Sequence, residues 1–165
     1  MDFLDPNIIK DARGIQTNEY LETSVADVWA AGDIANYFDI FFQTHQALGD
    51  WANAFMQGVL TGGNMTGNKN PLLSLFNYSI TNLGIQISFI GNTALQEGTE
   101  AISRGDLGQK KYERFFMKND ILQGAIMINV FADRAVITEL IQEKINLSEK
   151  KSSLSDMSFS LQTLI

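Results

Sequence analysis

The residues whose type and spacing best suit them to chemistry are Gly32, Asp33, Asp50 and Trp51. The short apolar run Val28-Trp29-Ala30-Ala31 breaks at Gly32-Asp33. A glycine without a Cβ lets a ligand or a backbone come close, and a carboxylate offers acceptor oxygens that can hold a hydroxyl. Asp50 and Trp51 open a helical pattern, and a helix amino terminus favours oxygen anions and carbonyls. This is the chemistry of binding. The chain has no cysteine, which removes disulfides, thiolate catalysis and sulfur-ligated metals. Its one histidine, His45, leaves no His-based zinc set and is read as making a structural hydrogen bond. No nucleophile–base pair and no spaced acidic pair is present, so the sequence offers no catalytic or metal-ligating residue. A strand end with a turn-forming Gly-Asp, followed by a plainly packed helix, is the structural alternative for the same residues.

The balance of the chain fits a globular protein: 165 residues, 45% hydrophobic and 19% charged. A net charge of −7 and no run of Lys and Arg argue against nucleic acid as a partner. No apolar run is long enough to span a bilayer. The acidic start Met1-Asp2-Phe3-Leu4-Asp5-Pro6 does not read as a signal peptide, so a cytoplasmic setting is expected. On that basis the Asn-x-Ser/Thr matches at Asn64, Asn77 and Asn146 are read as chance, and Arg104-Gly105-Asp106 as a turn.

Asp33 needs a strand to carry it. Residues 27–31 are expected to form a buried parallel strand ending in Gly32-Asp33, because open α/β sheets present ligands at the carboxyl ends of their strands. Upstream, residues 14–18 and 19–23 read as short extended pieces around an Asn-containing turn. Residues 34–48 carry aromatic side chains without clean periodicity and are expected to be a loop. From Asp50 a helix is expected to about Gly62, with Asp50 as its cap. Trp51, Ala54, Phe55, Gly58, Val59 and Gly62 fall at three- and four-residue steps and predict its packed face. Asn68-Lys69-Asn70-Pro71 marks a domain boundary.

Beyond Pro71 the pattern alternates. Strands are expected at 76–81 and 85–91, an exposed excursion over 92–109, and a hairpin pairing 111–117 with 121–128 across Lys118-Asn119-Asp120. A helix is expected from Asp133 to Leu147. A second short helix is expected in the tail, started by a capping box of Ser153 and Asp156. It docks on its own domain or on a second copy of the chain.

Thr23-Ser24 followed by Asp27-Val28-Trp29-Ala30-Ala31-Gly32-Asp33 resembles the second flavin-binding motif of the FAD-dependent pyridine nucleotide-disulfide oxidoreductase family. Gly14-Ile15 before it and the Trp51-Ala52-Asn53-Ala54 helix after it fit the same pattern. The second half is similar to the branch containing rubredoxin, ferredoxin and nitrite reductases and NADH oxidases. There the likeness rests on Tyr112, Phe116-Met117-Lys118, Leu122-Gln123-Gly124-Ala125, Asn129 and Leu140-Ile141. The resemblance implies that Asp33 accepts a hydrogen bond from the ribityl chain of FAD, with Gly32, Asp50 and Trp51 beside it. It implies an α+β chain: residues 1–68 as the carboxyl-terminal part of an FAD-binding domain, and 71–165 as a small antiparallel sheet backed by helices.

Members of this family carry two Gly-x-Gly-x-x-Gly turns, for FAD and for the nicotinamide cofactor, and this sequence has neither. The chain is therefore expected to be the carboxyl-terminal part of a larger reductase that uses FAD and NAD(P)H. Its partners would be amino-terminal FAD and NAD(P) domains, with a homodimer as a further option. The competing expectation is a non-enzymatic dimerisation or partner-docking module.

Overall fold

A computed structural model describes residues 4–165. Residues 1–3, part of the acidic start read above as no leader, lie outside the described residues. The fold is α+β, in two compact units, Met1–Ser74 and Leu75–Ile165.

The first unit holds a four-stranded sheet in the order β1 (Lys10–Asp11), β2 (Gly14–Thr17), β3 (Ala35–Asp39), β4 (Thr44–Gln46), followed by helix α1 (Trp51–Met65). Only β2 and β3 run parallel, with Ile15 opposite Ala35 and Thr17 opposite Tyr37. Opposed residues share a face, so these four side chains point to one side, and all are buried. Ile15 and Ala35 join Ile8 and Ala30 in one apolar cluster, while Tyr37 joins Leu21 and Leu72 in another.

Three expectations fail in this unit. Residues 27–31 are not a strand, because Trp29 makes only an isolated bridge to Glu22. Gly32–Ile34 is a 3-10 turn that leads into β3, so Asp33 precedes the parallel strand instead of ending it. The aromatic stretch 34–48 is largely a strand pair: β3 and β4 match Tyr37 with Gln46 and Phe38 with His45. Aromatic residues suit a pleated strand, and burial of β3 on both faces hid the two-residue period.

The third failure is the facing of α1. The expected inner stripe lies outward: Trp51 is 82%, Phe55 61% and Val59 64% exposed. The buried residues are Asn53, Gln57, Thr61 and Asn64. Asn53, Gln57 and Asn64 meet irregular backbone, whose amides and carbonyls must be paired when buried. Asn53 donates to the Leu48 carbonyl at 3.2 Å, and the Gly32 amide donates to Gln57 Oε1 at 2.8 Å. Asn64 donates to the Tyr20 and Asn70 carbonyls and accepts from the Asn70 amide.

The second unit is a five-stranded antiparallel sheet in the order β5 (Asn77–Asn82), β6 (Ile85–Gly91), β9 (Ile121–Ile128), β8 (Lys111–Lys118), β7 (Glu100–Asp106). The expected hairpin is β8–β9. Asn119 and Asp120 both take positive φ (51° and 60°), as a two-residue type I′ turn requires. Helix α2 (Arg134–Gln142) buries Val136, Ile137, Leu140 and Ile141, and ends earlier than expected. The excursion over 92–109 contains a full strand, β7, and Arg104-Gly105-Asp106 lies within it and not in a turn. No tail helix forms: the chain makes 3-10 turns at Lys151–Ser155 and Leu161–Leu164. The Ser153/Asp156 box is not made, because Asp156 accepts from the Ser158 amide and hydroxyl instead.

Arg104 explains why a charged residue enters the strand. Its guanidinium is buried, with Nε 2.5 Å from Glu113 Oε2 and Nη2 2.7 Å from Asp133 Oδ2. Nη1 donates to the Phe159 carbonyl at 3.0 Å and the Asp156 carbonyl at 3.3 Å, which ties the tail to the sheet. Burial pushes the Glu113 carboxyl above the ordinary glutamate range, against the pull of Arg104.

Two outcomes follow from this cluster. Arg104→Met leaves Glu113 buried without its counter-ion and should cost the second unit about 3–5 kcal/mol in denaturant unfolding. Because the folded Glu113 binds its proton more tightly than the unfolded one, stability should fall as pH rises from the ordinary glutamate range through the raised value. Glu113→Gln should flatten that fall.

Candidate functional site

The candidate site is the Gly32-Asp33 turn with the start of α1. Gly32 has φ +77°, a region L side chains rarely adopt. Its amide is taken by Gln57, and a Cβ placed there would sit 3.5 Å from the Ala54 methyl. Gly14 seats the turn from beneath: a Cβ on Gly14 would lie 2.3 Å from the Ile34 carbonyl oxygen. Asp33 is exposed, and its carboxylate makes no hydrogen bond among the described residues. A Cβ on Gly49 would lie 3.8 Å from its carboxyl.

Asp50 caps α1 as expected, accepting from the Ala52 amide at 2.9 Å and the Asn53 amide at 3.2 Å. The cap satisfies two first-turn donors and brings its own negative charge, so this helix start is less open to anions than a bare one. Trp51 stacks on Phe55 at 5.8 Å between ring centroids and presents its ring to solvent. The structure thus brings Gly32, Asp33 and the Gly49–Asp50 bend together, with Trp51 at the rim. The offer is a free acceptor beside a glycine, which suits a hydroxyl-bearing ligand, and a flat aromatic surface, which suits a ring. An unpaired carboxylate beside a glycine turn fits the hydroxyls of a flavin's ribityl chain.

Among the described residues no group of three or more His, Asp or Glu could hold a metal, and no helix is long and apolar enough to cross a membrane. His45 sits in β4, its ring edge-on to Phe38 at 5.5 Å while its carbonyl accepts from Arg13. Ser24 ties the preceding loop down, donating to the Asn7 carbonyl and accepting from the Ile9 amide. Gln57 was missed from sequence. The signal was there in Asn53, Gln57, Thr61 and Asn64, a polar row at helical spacing. Beside the outward stripe, Phe55, Met56, Val59, Leu60, Pro71 and Leu73 line an apolar groove of about 320 Å³.

Residues 7–58 match the pyridine nucleotide-disulphide oxidoreductase family, and residues 79–145 match the rubredoxin NAD+ reductase C-terminal domain. The chain is 26% identical over 158 residues to the NADH-dependent phenylglyoxylate dehydrogenase subunit epsilon of Aromatoleum evansii, covering 92% of this chain and 37% of that one. It is 29% identical over 125 residues to the ferredoxin–NAD(+) reductase component of a 3-phenylpropionate/cinnamic acid dioxygenase from Photorhabdus laumondii, covering 76% and 31%. The chain therefore spans about a third of the length of these relatives. In fold it is similar to a solved covalent putidaredoxin reductase–putidaredoxin complex, with TM-score 0.81 and 20% identity over 94% of this chain and 36% of that one. A ferredoxin reductase from Rhodopseudomonas palustris gives 0.78 and 24%, over 93% and 37%.

The seating of the turn is testable. Gly14→Ala must displace the Ile34 carbonyl or distort β2, at a cost of about 1–3 kcal/mol to the first unit. Hydrogen exchange should show the loss at the amides of Ala35–Tyr37, with β8 and β9 unchanged.

Proposed function

We propose that this chain, which belongs to the pyridine nucleotide-disulphide oxidoreductase family, is the carboxyl-terminal part of an FAD-dependent NAD(P)H oxidoreductase and contributes part of its flavin site. The observation that carries this reading is the unpaired Asp33 carboxylate on a glycine turn, held against the capped start of α1. Residues 1–68 complete the FAD-binding domain, and residues 71–165 form the terminal interface-type domain. The working setting is cytoplasmic.

When bound, FAD supplies the electron transfer between NAD(P)H and an acceptor, and the protein binds and orients it. Asp33 accepts a hydrogen bond from a ribityl hydroxyl, and Gly32 lets the ligand approach. Asp50 fixes the helix start, and Trp51 offers a flat apolar surface to the ring. No residue of this chain is assigned a catalytic role. Contacts to pyrophosphate and adenosine fall to amino-terminal FAD and NAD(P) portions, because the sequence lacks both glycine fingerprints. The outward apolar stripe of α1 and its groove are where that remainder packs, since an apolar patch of this kind marks a partner surface.

A docking-module reading has one observation in its favour. The second face of the five-stranded sheet lines up Tyr78, Phe89 and Ile126 in one row across β5, β6 and β9, and Ile80, Ile87 and Ile128 in the next, and none of these is fully buried. A homodimer through that face should appear in sedimentation and be lost in Ile80→Lys. A protein that stays monomeric at every concentration removes this reading.

For the flavin reading, the protein isolated from its own cells should carry FAD, measured as visible flavin absorbance per mole of chain. Asp33→Ala removes one charge-assisted hydrogen bond, about 1.5–3 kcal/mol, and should weaken flavin retention roughly tenfold to a hundredfold. A colourless native protein, or an Asp33→Ala variant as yellow as the parent, would count against it.

A further inference from the structure

Gln57 lies six residues, nearly two turns, beyond the start of α1 and is fully buried, whereas Asp33 is exposed. Its Oε1 accepts the Gly32 amide at 2.8 Å, while its Nε2 is buried with no partner among the described residues. An orphaned buried donor costs stability, and an apolar side chain of similar length would avoid that cost. The use of a carboxamide is therefore in its oxygen. Ala54, three residues earlier on the same side of α1, lies 3.5 Å from where a Gly32 Cβ would be. Gln57 and Ala54 together grip the turn from the helix.

We propose that Gln57 is the positioning residue of the flavin-facing turn: by taking the Gly32 amide, it fixes Asp33 in the pose that accepts a ligand hydroxyl. The inference rests on the flavin reading above. It also sets the selectivity of the turn. A free glycine amide would be a donor for phosphate oxygens. With that amide occupied, Gly32 offers no donor to a phosphate oxygen, while the Asp33 carboxylate stays available to a hydroxyl, which favours a polyhydroxyl chain over an anion at this glycine. Gln57 acts through Gly32 and touches no reacting atom.

The test compares Gln57→Met, which keeps length and flexibility but lacks a comparable acceptor, with Gln57→Glu, which keeps an acceptor oxygen. Two quantities are read on the native protein: hydrogen exchange at the Gly32 amide, and FAD retained per mole of chain. Gln57→Met should raise Gly32 exchange and lower FAD retention, each about tenfold, with exchange across β8 and β9 unchanged. Gln57→Glu should stay close to the parent in both. Unchanged Gly32 exchange in Gln57→Met overturns the inference. So does a freed Gly32 amide with FAD retention intact. If Gln57→Met does not fold, a folded Gln57→Glu that has lost its FAD overturns it as well. A parent protein without FAD defeats the flavin reading itself, and this inference with it. Full retention in the parent and in Gln57→Met defeats the inference alone.

Discussion

The first unit depends on one constraint: the irregular backbone around α1 is buried, and its polar groups must be paired. The helix meets that need with its own side chains. Asn53 takes the carbonyl of Leu48, Gln57 the amide of Gly32, and Asn64 the backbone of Tyr20 and Asn70. An unpaired buried peptide group costs as much as a lost hydrogen bond or more. The polar row is therefore what lets so much loop pack into so small a unit. It also fixes the rotation of the helix, and with it the outward turn of Trp51, Phe55 and Val59.

The second unit solves a similar problem with charge. Arg104 is drawn into the sheet by Glu113 and Asp133, and its remaining donors reach carbonyls of the tail. A buried ion pair of this kind is weak support for net stability but strong support for a single arrangement, since any other leaves a charge unpaired. The tail therefore needs no regular helix. Short 3-10 turns carry Leu154 and Leu161 into the core, and the guanidinium holds the segment between them.

The site follows from the first constraint. The turn that bears Asp33 is held from the helix side by Gln57 and Ala54 and from the sheet side by Gly14, which leaves its carboxylate free. The turn thus presents one ordered acceptor beside a glycine. The same helix turns its polar row inward, onto the backbone of the turn, and an apolar stripe that begins at Trp51 outward.

Much of this was legible in the sequence. Alternation fixed four of the second unit's five strands and its hairpin, because a half-buried pleat repeats every two residues and Asn119-Asp120 tolerates positive φ; β7 reads as an exposed excursion. The order of the Gly14, Thr23-Ser24 and Gly32-Asp33 motifs, followed by that hairpin, identified the family, and Asp50 before Trp51 marked the helix start. What the sequence could not decide was which side of each element faces inward. A stripe of Trp51, Phe55 and Val59 reads as core when burial is assumed to follow hydrophobicity. Here the buried partners are backbone amides and carbonyls, and these pair with Asn and Gln. Likewise Arg104 reads as surface until Glu113 and Asp133 are brought beside it from other elements. Local pattern sets what each segment can form, whereas the pairing of buried polar groups depends on residues far apart in sequence and exists only once the chain has folded.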